Sequence, residues 1–128
     1  MMQNSARAKY AVLIVEDDPF VRLEAASMAE DAGFIAYQAS NADDAILLLE
    51  QHDDIRVLFT DIEMPGSMDG LKLAKAVRDR WPPVVIMVAS GRGRPEHGQL
   101  PDDGIFFPKP YSSAAFANAL QAAAAKFS

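Results

Sequence analysis
The sequence predicts a doubly wound α/β domain: one parallel sheet of five strands, with helices packed on both faces. Two observations carry this. Strand-like and helix-like stretches alternate along the chain, the order that parallel βαβ units require. The runs 10–15 and 84–89 are continuously apolar instead of alternating, as expected of strands buried on both faces.

Each element has a local reason. Residues 10–15 form the first strand and lead straight into Glu16-Asp17-Asp18-Pro19. Asp18 suits the N-cap of a helix that starts on Pro19, where proline's missing N–H costs nothing. Val21, Ala25, Met28, Ala29 and Ala32 give that helix an apolar stripe, and Gly33 suits its C′ position. Residues 34–38 read as a weaker strand near an edge. Ser40 or Asn41 caps the next helix, which carries Ala45, Leu48, Leu49 and His52 on one face. Residues 55–60 form a strand that delivers Asp61 to its end, and Met64-Pro65 turns the chain away. The loop ends near Asp69-Gly70. A helix to about Trp81 follows, with Leu73, Val77 and Trp81 in line, and Pro82-Pro83 stops it.

Residues 84–89 make the most β-branched strand and read as central. Between Ser90 and Gly104 lie Gly91, Gly93, Gly98, Pro95 and Pro101, so a loop or at most one turn is expected there. Residues 105–108 form a short last strand. Lys109-Pro110 then turns into a helix whose stripe is Phe116, Leu120, Ala123 and Phe127. Residues 1–9 are expected to be a flexible tail, and 10–128 a single domain.

Composition narrows the function. The chain has 128 residues, half of them apolar, enough for one domain with a real core. A net charge of −6 argues against direct nucleic-acid binding, which needs a basic face. Without cysteine, disulfides, thiolate catalysis and thiolate metal sites are excluded. No apolar run approaches the roughly 20 residues that span a bilayer, and residues 1–9 lack the apolar core of a signal peptide. A soluble cytoplasmic protein is the expectation.

Four features then fall at successive strand ends: Glu16, Asp17 and Asp18 after the first strand, Asp61 after the third, Ser90 after the fourth and Lys109 after the fifth. Each has a bland reading by itself. Acids after a strand favour a helix N-terminus, an aspartate before a turn serves the turn, and a serine or lysine there is an ordinary loop residue. Together they describe a site, because open α/β sheets bind ligands at the carboxyl ends of their strands. Carboxylates about 4 Å apart repel by up to ~4 kcal/mol at an effective dielectric near ~20, so the cluster needs compensation. Oxygen-only ligands suit a hard ion such as Mg²⁺. The ion and the Lys109 ammonium would offset charge on a phosphoryl group, Ser90 would donate to one of its oxygens, and Asp61 would be the nucleophile.

Glu16-Asp17, Asp61 with Met64-Pro65, Ser90 and Lys109-Pro110 resemble the signature of response-regulator receiver domains, over about residues 10–127. The resemblance implies a flavodoxin-like sheet in the order 2-1-3-4-5. It also implies phosphoryl transfer to Asp61 from a sensor histidine kinase or a histidine phosphotransfer protein, a switch that catalyses its own phosphorylation and dephosphorylation. By the same resemblance Asp17, Asp61 and the backbone carbonyl of Glu63 hold Mg²⁺ directly, and Glu16 acts through water. Ser90 and Lys109 would contact the phosphoryl group, and the Lys109–Pro110 bond would be cis.

The chain departs from the family pattern in places. The loop from Asp61 to Gly70 is one residue longer, serine replaces the commoner threonine at 90, and Phe106 stands at the switch aromatic's position. Phe106 is either a buried core ring or a switch held by packing alone. The helix that most receivers carry between their fourth and fifth strands is expected to be a loop, altering the usual output face. Glu63 and Arg92 are expected to pair over the phosphoryl group and set its lifetime, or to be unrelated loop charges. A stand-alone regulator, a phosphate shuttle and the receiver piece of a hybrid histidine kinase all stay open, as a monomer or weak dimer. A Mg²⁺-dependent phosphohydrolase is the runner-up. It would want a second aspartate two residues beyond Asp61, where Glu63 stands.

Overall fold
The structure, a computed structural model, describes residues 10–64, 66, 68–96 and 98–127. The tail expected at 1–9 and the turn residue Pro65 lie outside the described residues. In chain order the elements are β1 (Ala11–Val15), α1 (Pro19–Asp31), β2 (Ile35–Ala39), α2 (Ala42–Gln51) and β3 (Ile55–Asp61). There follow α3 (Gly70–Arg80), β4 (Val85–Ser90), β5 (Ile105–Pro108), α4 (Ser113–Ala124) and a closing 3₁₀ turn, Ala125–Phe127. All five strands are parallel, in the order β2-β1-β3-β4-β5. The flavodoxin-like arrangement is therefore present.

The caps explain where the helices begin. Asp18 accepts from the N–H groups of Phe20 and Val21 with Pro19 in the first turn, and Asn41, not Ser40, accepts from Asp44. Asp69 caps α3 through Lys72, and Ser112 caps α4 through Ala115. Each side chain satisfies an N–H that the first helical turn leaves without a partner. Gly33, with φ of 94°, ends α1 in a conformation few other residues adopt readily.

Two apolar layers sandwich the sheet. On one face Leu13, Val15, Leu58, Ile86 and Val88 pack with Leu49 of α2 and Leu73 and Val77 of α3. On the other, Val12, Ile14, Val57, Phe59 and Met87 meet Ala25 and Ala29 of α1 and Phe116 and Leu120 of α4. Alternate residues of one strand thus serve opposite cores, which is why β1 is apolar throughout. Two sequence expectations need correction. Residues 84–89 supply an interior strand, but the middle of the sheet is β3, because only β5 lies outside β4 while two strands lie on each side of β3. Phe127 leaves the α-helix for the 3₁₀ turn, where the Tyr10 hydroxyl donates to its carbonyl at 2.9 Å and the two rings lie 5.1 Å apart.

Among the described residues no helix separates β4 from β5. The segment is nevertheless anchored. Arg78 of α3 donates to the carbonyls of Pro82 and Asp102, each at 3.1 Å. Leu100 packs partly buried on the face covered by α2 and α3. Asp103 takes a φ of 70°, and the chain passes so close to Leu100 that a Cβ on Gly104 would come 2.7 Å from its side chain.

Candidate functional site
Register alone brings the candidate residues to one level. Val15 is the partner of Thr60, so Glu16 follows β1 where Asp61 closes β3. Asp61 is paired with Ala89, and Ser90 with Pro108, so Ser90 and Lys109 each stand one step further along. The Lys109 N–H donates to the Ser90 carbonyl at 2.9 Å, continuing the ladder past β5, and the Lys109–Pro110 peptide is cis.

At the end of β1, Glu16 is buried and Asp17 is exposed. The Asp18 N–H donates to Glu16 Oε1 at 3.1 Å, and Arg22 of α1 donates to the Glu16 carbonyl at 2.9 Å. Glu16, Asp17 and Asp61 can each turn one oxygen so that all three lie within 4.8 Å of one another. Lys109 reaches over this group: its Nζ is 3.1 Å from Asp61 Oδ1 and 3.5 Å from Glu16 Oε2. Asp61 Oδ1 is fully buried and receives no well-aligned hydrogen bond, so Lys109 acts on it as an ion-pair partner.

The electrostatics follow from this crowding. Burial pushes the Glu16 carboxyl up to about 7; the Asp18 N–H holds it down and the Asp61 charge drives it further up. Burial also raises Asp61, against the pull of the Lys109 ammonium. For Lys109 burial opposes the charged form, but Asp61 and Glu16 outweigh it and raise the ammonium above its ordinary value. Three oxygen donors with a surplus of negative charge, one of them lacking an aligned hydrogen bond, fit a hard divalent cation.

Ser90 is 2% exposed, and its Oγ donates to Glu63 Oε2 at 2.6 Å while accepting from the Arg92 N–H at 3.0 Å. Glu63 therefore meets Ser90, and the expected Glu63–Arg92 ion pair does not form: Arg92 approaches through its backbone, with an exposed side chain. Phe106 is half-buried, neither a fully enclosed core ring nor free, with the Arg94 guanidinium 5.5 Å from its ring centre. Beneath the site, Phe59, Phe107, Tyr111 and Phe116 form an aromatic cluster. Burial there pushes the Tyr111 hydroxyl up to about 12.

One positioning residue was not singled out from the sequence. The Gly70 N–H donates to the Ile62 carbonyl at 2.9 Å, and its α-carbon packs against the backbone of Asp61. The available signal was a glycine at the first position of a helix, where it is a poor helix former. A side chain there would push the acceptor strand's end out of place.

Over 105 residues the chain is 29% identical to the sensor kinase CckA of Brucella abortus, which covers 79% of this chain and 11% of that protein. It is 38% identical over 84 residues to the hydrogenase transcriptional regulatory protein HoxA of Cupriavidus necator, covering 65% of this chain and 17% of that one. The chain spans less than a fifth of the length of either relative. The crystal structure of a response regulator receiver protein from Sinorhizobium medicae superposes with a TM-score of 0.77 at 28% identity, over 89% of this chain and 93% of the other. No helix among the described residues is long and apolar enough to cross a membrane. The sequence model of the response regulator receiver domain matches residues 12–121, from within the first strand into the last helix, and the chain belongs to that family.

Proposed function
We propose that the domain is a phosphoacceptor switch that takes a phosphoryl group onto Asp61 from a histidine kinase or a histidine phosphotransfer protein. The observation that carries this reading is the buried Asp61 carboxylate with the Lys109 ammonium 3.1 Å away, beside two further acids. A carboxylate oxygen forms the new O–P bond as the P–N bond to the partner's histidine breaks, and the electron pair stays on the imidazole nitrogen. With acetyl phosphate the P–O bond breaks instead, and acetate leaves with the pair. Lys109 would offset charge on the phosphoryl oxygens, and Ser90 would donate to one of them.

Asp17, Asp61 and the Glu63 carbonyl would hold Mg²⁺, with Glu16 behind them. When bound, the ion supplies positive charge that relieves the carboxylates' repulsion and draws electron density from the phosphoryl oxygens. Phosphorylation would change the contacts of Ser90 and, through the neighbouring strand, of Phe106. The output surface would lie around the segment between β4 and β5, in a cytoplasmic setting.

The test is incubation with acetyl phosphate and Mg²⁺, read by intact mass. One phosphoryl group on wild type and none on Asp61→Asn is the expected result. An unlabelled wild type, or equal labelling of the variant, would overturn the reading.

A further inference from the structure
The Ser90 hydroxyl has one proton, and it is already committed. It goes to Glu63 Oε2 across 2.6 Å, a short, charge-assisted contact, while the Arg92 N–H occupies one of the oxygen's lone pairs. Ser90 is 2% exposed, so its hydroxyl has no water to turn to, whereas Glu63 is only half-buried and its carboxylate can move into solvent. A phosphoryl oxygen on Asp61 that needs this proton must therefore displace an anion that holds it first.

We infer that Glu63 is a built-in competitor for the Ser90 hydroxyl, a positioning residue that holds Ser90 away from the acceptor until a phosphoryl group arrives. This rests on the phosphoacceptor reading above and adds an order of events. The Ser90–Glu63 bond opens, Glu63 swings outward, and the freed hydroxyl donates to the phosphoryl oxygen. Burial makes the exchange close to all-or-none, because leaving the Ser90 hydroxyl without an acceptor is costly. Glu63 also carries negative charge towards Asp61, so its removal has two separable effects: one through Ser90 and one through the general field of the site.

A double-mutant cycle separates them. Initial rates of labelling by acetyl phosphate with Mg²⁺ are measured by intact mass for wild type, Glu63→Ala, Ser90→Ala and the double variant. Circular dichroism confirms that each is folded. If Glu63 acts through Ser90, Glu63→Ala speeds labelling about 3- to 10-fold with serine at 90, and by less than about 1.5-fold with alanine there; a tenfold change corresponds to ~1.4 kcal/mol. Equal acceleration in both backgrounds would leave only a charge effect and overturn the assignment. So would an unchanged or slower rate in Glu63→Ala. A wild type that takes no phosphoryl group at all is a different failure: it overturns the acceptor reading itself.

Discussion
The α-carbon of Gly70 rests against the Asp61 carbonyl so closely that a Cβ built on it would lie 2.1 Å from the carbonyl oxygen and 2.8 Å from its carbon. Both are backbone atoms, so a rotamer change cannot relieve the clash. Gly70→Ala should therefore lower stability by roughly 1–3 kcal/mol, the usual range for overpacking. It should also slow acceptor labelling, because the strain is relieved by shifting Asp61. Urea unfolding and the acetyl phosphate assay check both effects; a variant as stable and as fast as wild type would contradict this packing.

Acidity at the site sets a direction for pH dependence. The Glu16 carboxyl rises from 4.5 to about 7 on folding, and Asp61 moves the same way, so the folded protein binds protons more tightly than the unfolded chain. In EDTA the Glu16 contribution to stability is fully present below about 4.5 and is lost as pH rises through about 7, and the Asp61 contribution is likewise lost as pH rises. The Tm of wild type should fall relative to Glu16→Gln between pH 5 and pH 8. Added Mg²⁺ competes with those protons, so its stabilisation should be larger at pH 8 than at pH 6. Thermal melts at the two pH values, with and without the ion, give the answer.

Lys109 faces two acids from one side, and among the described residues no other cation pairs with both. Replacing it with methionine keeps the bulk of the stem and removes the charge. Because Lys109 itself is partly exposed, the loss should be about 1–3 kcal/mol at pH 7.5 without divalent cations, below the range for a fully buried pair. At pH 5 the difference should shrink, since Glu16 then carries a proton. Chemical denaturation at both pH values measures it, and a loss that is the same at both would argue against an electrostatic cause.

Asp103 holds a φ of 70° in the segment between β4 and β5. Aspartate tolerates this left-handed conformation better than branched residues do. Asp103→Gly should stay within about 1 kcal/mol of wild type, as relieved strain offsets the extra freedom of the unfolded chain. Asp103→Val should lose at least ~1 kcal/mol. Denaturant midpoints of the pair rank them, and equal values would mean the segment readjusts its backbone.

Much of the fold was legible because its signals are local. Asp18 with Pro19, and Asn41, mark helix starts by groups within three residues, and the unbroken apolar run of β1 marks burial on both faces. That the described residues between β4 and β5 form no helix was equally local, written in glycines and prolines. Strand order was not; it came from a resemblance, and the central place of β3 depends on crossovers that no single segment encodes. The convergence of Glu16, Asp61, Ser90 and Lys109 could be read because strand ends share one edge. The partner of Glu63 could not, since it depends on how a loop folds across to the neighbouring strand. Gly70 was hidden for the same reason: its role lies in the space beside it, not in its own chemistry.

The contact between Tyr10 and Phe127 has a topological consequence. It ties the first described residue to the last at the pole of the sheet opposite Asp61. A short Gly/Ser bridge could join these positions into a continuous circle, which could then be reopened among the exposed residues 91–94. In such a circular permutant every strand keeps its neighbours and register. Apart from the new bridge, only the covalent path between β4 and β5 changes, so signalling through that path could be separated from the chemistry at Asp61.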